Sequence, residues 1–71
     1  MESLYARTLR RAEDVRTFTI TNVMAGWEVR EEQNSRLVRR LFYDDWHRVE
    51  RARMTFALEA RDLQALGWVE T

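Results

Sequence analysis

The residue types that acid–base and metal chemistry use gather in one stretch, Tyr43-Asp44-Asp45-Trp46-His47-Arg48-Val49-Glu50. His47 and Glu50 stand at i, i+3 on one helix face, a spacing compatible with metal ligation, and Asp44 lies about one turn before His47. A lone His without a second His or a Cys is a weak metal signal. Acidic residues at a helix start complement its dipole, which accounts for Asp44 and Asp45 without any ion. Other catalytic classes find less support still. The chain has no Cys, one His and only two Gly, which removes thiol chemistry, disulfides and a glycine-rich phosphate loop. Ser3 or Ser35 would complete a Ser-His-Asp set only if the fold carried it to His47, and nothing in the spacing does so. The expectation is a non-catalytic protein without a cofactor, with Asp44, His47 and Glu50 as the weakest alternative site.

Arginine is the second chemical signal. All twelve basic residues are Arg, against twelve acidic ones, for a formal net charge of zero. Guanidinium forks suit bidentate recognition of phosphate or carboxylate. A nucleic-acid footprint, however, ordinarily shows as net positive charge, and codon usage in a GC-rich genome explains the all-Arg bias as well. The alternative to weigh is a single-stranded DNA or RNA binder using Arg30, Arg39, Arg40 and Phe42, with Thr17, Thr19 and Thr21 beside them, to contact phosphates and stack bases. Glu28 and Glu32 fall on that same face and would neutralise the arginines. Arg7, Arg10 and Arg11 are similarly offset by Glu2, Glu13 and Asp14. In topology alone, the order of strands and helix resembles small single-strand-binding domains of the whirly and Pur type, and no motif carries membership.

The elements that must position these residues are legible in the periodicity. Seventy-one residues form one domain at most, a single small α+β unit over residues 1–71. Tyr5, Leu9 and Ala12 fall at i, i+4 and i+7, which predicts a short helical arm over 1–14 with Ser3 as a possible cap. Phe18 and Ile20 alternate with threonines, and Trp27 and Val29 with Glu28, Arg30 and Glu32. Together with Arg36–Tyr43 they predict a three-stranded antiparallel meander over 16–43. Loops at Val23–Gly26 and Asn34–Arg36 would set Ile20 opposite Val29, Phe18 opposite Glu31, Trp27 opposite Tyr43, Val29 opposite Leu41 and Glu31 opposite Arg39. A one-residue slip of the last strand would exchange Leu41 for Phe42 in the core, since that strand is apolar on both faces.

A long helix over 44–67 closes the chain, opened by Asp44 and Asp45 and ended by Gly67, with Trp68 folding back onto Leu63. Its Ala52, Leu63, Phe56, Val49, Ala60, Trp46 and Ala57 share one arc and should cover one face of the sheet. Met54, Leu58 and Ala65, in line with His47, make a second and narrower apolar stripe. Either the N-terminal arm lays Tyr5 and Leu9 on that stripe, or a second copy of the chain covers it across a two-fold axis. Small cores supply little stability, so the homodimer is favoured, with Met54, Leu58, His47, Val38 and Phe42 as its interface residues. No stretch reaches the ~18 apolar residues of a membrane span, and no secretory signal is visible. The default expectation is a cytoplasmic, bacterial interaction module with no membrane partner.

Overall fold

A computed structural model of the protein describes residues 3–71. The order is β1 (Ser3–Arg11), β2 (Asp14–Val23), β3 (Gly26–Gln33), β4 (Arg36–Tyr43), α1 (Trp46–Ala65) and β5 (Val69–Glu70). The strands form one antiparallel sheet in the order β4-β3-β2-β1-β5, with α1 laid over one face. The architecture is thus α+β as expected, but the sheet has five strands rather than three.

The N-terminal segment is the principal correction. Ser3–Arg11 is a strand paired along its length with β2, not a helical arm; positions 1 and 2 of the expected arm, Glu2 among them, lie outside the described residues. The physical reason is an ambiguity of spacing. Tyr5 and Leu9, four apart, share a face in a helix and equally in a strand. Arg7 between them resolves it: in the strand it joins their face, where its guanidinium donates to Glu70 and to the Tyr5 hydroxyl. Leu9 is fully buried beneath α1, so the proposed covering of the Met54–Leu58 stripe by Tyr5 and Leu9 does not occur.

Register follows the expected pairing, by a different route. Ile20 pairs with Val29, Phe18 with Glu31, Trp27 with Tyr43, Val29 with Leu41 and Glu31 with Arg39. The β3–β4 turn is two residues, not three. Asn34 and Ser35 have φ of 53° and 66°, the paired positive values of a hairpin turn that matches strand twist. A bulge then restores the count: Glu32 pairs with Leu37 and Glu31 with Arg39, leaving Val38 without a partner. Asn34 also ties two hairpins together. Its Oδ1 accepts from the Val15 backbone N–H at 2.8 Å, and its own N–H donates to the Val15 carbonyl at 2.8 Å.

The helix runs Trp46–Ala65, two residues shorter at each end than the expected 44–67. Asp45 rather than Asp44 caps it, its Oδ1 accepting from the His47 N–H at 2.9 Å. At the other end Gly67 has φ 98°. Gly67 N–H donates to the Gln64 carbonyl at 3.1 Å and Trp68 N–H to the Leu63 carbonyl at 3.0 Å, the two bonds of a Schellman closure. Trp68 is thereby turned into the core, and the chain continues as β5 against β1, with the Thr71 N–H on the Thr8 carbonyl at 2.9 Å. The core comprises Leu9, Phe18, Ile20 and Val29 from the sheet, Val49, Phe56, Ala60 and Leu63 from α1, and Trp68. Phe56 stands at its centre, 4.9 Å from the Phe18 ring and 6.2 Å from that of Tyr5.

Candidate interaction surfaces

Four groups of polar and exposed residues result from this arrangement. The first lies between helix and sheet. Glu31, on β3, is 5% exposed, the one charged residue among the buried ones described. Its Oε2 accepts from Arg16 of β2, and its Oε1 accepts from Arg39 of β4 at 3.1 Å. Glu59 of α1 stands 3.6 Å from Arg39 and 4.0 Å from Arg16. Each guanidinium also lies over a core ring, Arg16 over Phe18 at 5.7 Å and Arg39 over Phe56 at 6.0 Å, where a cation gains from the aromatic quadrupole. This four-residue lattice ties β2, β3 and β4 to one another and to α1.

The second group is the sheet face away from α1. Arg40 Nε donates to Glu28 at 2.7 Å, Arg30 stands 3.5 Å from Glu28 and 4.0 Å from Glu32. These pairs neutralise the arginines that the nucleic-acid alternative requires. Arg39 leaves from the other face, towards Glu31 and Glu59, so Arg30, Arg39, Arg40 and Phe42 are not brought together as one basic surface.

The third group is apolar and concerns β4. This strand is an edge of the sheet, and seven of its eight residues are exposed. Phe42 and Val38 are each 56% exposed, Leu37 51% and Leu41 40%. At the opposite edge β1 is covered in part by β5, which is two residues long. Gly26 sits tightly against β4: a Cβ there would meet the Tyr43 carbonyl and the Phe42 ring, the latter at 2.7 Å. On the helix, Met54 and Leu58 are 62% and 56% exposed, and His47 is exposed on the same element. The five expected interface residues therefore all reach the surface but in two places, Val38 and Phe42 on β4 and His47, Met54 and Leu58 on α1. Leu37 and Leu41 were missed as exposed positions, although a strand apolar on both faces was the signal for them.

The fourth is a cleft of about 370 Å³ where α1 diverges from β4. Val29, Leu41, Ala52 and Phe56 line it, together with Arg39, Arg48 and Arg51. Arg48 and Arg51 make no ion pair among the described residues, and no carboxylate lines the cleft.

The metal alternative gains nothing from the geometry. Glu50 accepts from Arg53 at 3.1 Å, and among the described residues no group of three His, Cys, Asp or Glu side chains could hold an ion. No helix among the described residues is long and apolar enough to cross a membrane. Comparison of the chain with protein-family models, with curated proteins and with solved structures finds no match.

Proposed function

We propose that this chain is a non-catalytic interaction module, acting in the cytoplasm as a homodimer that pairs β4 with β4 of a second copy across a two-fold axis. The observation that carries the reading is the β4 edge. An edge strand presents a row of unpaired backbone groups, and one that also exposes large apolar side chains is a template for another strand. Here Leu37, Val38, Leu41 and Phe42 are all at least 40% exposed. The Val38 bulge and Arg36, Arg39 and Arg40 blunt the edge against indiscriminate pairing. A symmetric register remains open to it. Antiparallel strands keep like faces together, so a two-fold centred on Arg40 sets Val38 opposite Phe42 of the second copy twice over. The two Arg40 side chains that meet there are each held by Glu28 of their own chain. Such pairing is isologous and closes at two copies.

Light scattering on the gel-filtration peak tests this. The expected mass is twice that of one chain, falling to one chain in Val38→Lys/Phe42→Lys. Leu58→Arg, on the helix, should leave the dimer intact. A wild-type chain that runs as a monomer at high concentration, or a dimer lost in Leu58→Arg and kept in the β4 double variant, overturns the β4 pairing.

A further inference from the structure

We infer that the cleft between α1 and β4 is a binding site for a small organic anion, its oxyanion head on Arg48 and Arg51 and its apolar body on Leu41 and Ala52, the apolar lining residues that keep accessible surface. Its volume of about 370 Å³ falls in the range of small-molecule sites, roughly 300–1,000 Å³. The charge around it is one-sided. The chain as a whole is neutral, yet the cleft is lined by three arginines and no acid. Arg39 is already committed to Glu31 and Glu59, at 3.1 Å and 3.6 Å. Arg48 and Arg51, one helical turn apart on α1, have no ion-pair partner among the described residues, and they are the two such arginines that line this cleft together. Guanidinium forks bind carboxylate, sulfonate or phosphate oxygens by charge-assisted, often bidentate, hydrogen bonds. A bare inorganic ion would satisfy them but leave Leu41, 40% exposed, uncovered. An anion with an aromatic or branched apolar body answers both needs, which is why that class is assigned. The cleft is built from one chain, so the site does not depend on dimerisation.

Titration calorimetry with 1-naphthoate tests the assignment, with 1-naphthalenemethanol and inorganic phosphate as partial ligands. Naphthoate should bind at least about tenfold more tightly than either, since each lacks one half of the recognition. Arg48→Gln/Arg51→Gln should weaken naphthoate by about tenfold or more while its circular dichroism melt stays that of the wild type. Amide shifts on naphthoate addition should centre on Leu41, Arg48 and Ala52. Equal binding of the neutral alcohol, equal binding of phosphate, or full affinity in the double Gln variant overturns the proposal. The Val38→Lys/Phe42→Lys chain separates this from the dimer: naphthoate binding should persist in it, and loss there would place the site between two copies and refute the single-chain assignment. A wild-type monomer that binds naphthoate refutes the dimer and leaves the cleft standing.

Discussion

Glu31 is the residue on which this small domain takes its largest electrostatic risk. A buried carboxylate is tolerated only with its lone pairs satisfied, and Arg16 and Arg39 take both oxygens. Breaking one partner of a buried ion pair leaves uncompensated charge and costs about 3–5 kcal/mol. Arg39 is part-exposed here, its side chain at 44%, so Glu31→Gln should destabilise by about 2–4 kcal/mol, read by chemical denaturation. At Gly26 the constraint is steric. A methyl group would strike the Tyr43 carbonyl and the Phe42 ring, so Gly26→Ala should detach β4 locally, seen as lost amide protection from Arg40 to Tyr43. Gly67→Ala is milder by contrast, since its Cβ finds space, 3.9 Å from Arg11. Its cost is the left-handed backbone at φ 98°, about 1–2 kcal/mol in the same denaturation experiment.

Elements show which signals survive from sequence to structure. The α1 caps do, because Asp45 and Gly67 act on groups within a few residues of themselves. Pairing of the three central hairpin strands does too, since short turns leave little freedom of register. The β3–β4 turn is one residue shorter than expected and the bulge at Val38 compensates, so Leu41 rather than Phe42 faces α1, a choice that the apolar pattern of the strand leaves open. β1 and β5 were not legible. A spacing of four serves helix and strand alike, and a two-residue strand has no periodicity to read. What fastens β5 is distant in sequence: Glu70 accepts from Arg7 Nε at 3.0 Å. That hydrogen bond holds the Glu70 carboxyl below its ordinary value of 4.5 and the Arg7 guanidinium above its own. A carboxylate whose folded pKa is depressed contributes fully above the unfolded value and loses that contribution as pH falls through the folded one. β5 should therefore loosen first on acidification below the ordinary carboxylate range, while Arg7→Gln loosens it at neutral pH. Amide exchange at Glu70 and Thr71 reads both.

At the scale of the molecule, one layer of helix covers one face of a five-stranded sheet and leaves an apolar edge unpaired. A core this small supplies only a few kcal/mol by itself, roughly 3–5. Mass action then couples stability to association, so the melting temperature should rise by several degrees over about a hundredfold increase in protein concentration. The β4 double variant should melt at one temperature throughout. Candidate sites were less legible than the fold. Val38, Phe42, Met54 and Leu58 were readable as apolar surplus, because amphipathic periodicity counts faces directly. That Arg30 and Arg40 would be neutralised was readable from Glu28 and Glu32 on the same face. Arg48 and Arg51 were not singled out, since a cleft exists only where two elements diverge.

By itself the sequence determined what local chemistry controls: a capped helix with a Val49–Phe56–Leu63 stripe, hairpins with their cross-strand partners, and a surplus of apolar side chains on one strand and one helix flank. Tertiary structure alone decided that residues 3–11 join the sheet, that β5 returns beside them, and that β4 is left as the open edge. Those outcomes depend on contacts across tens of residues, Arg7 with Glu70 and Leu9 with the underside of α1, whose free energy no local window contains. The same holds for the octapeptide around His47. Its residue types could do chemistry, but the fold uses Asp45 to start a helix, Glu50 to hold Arg53, and turns Arg48 towards a cleft that only the packing of α1 on the sheet creates.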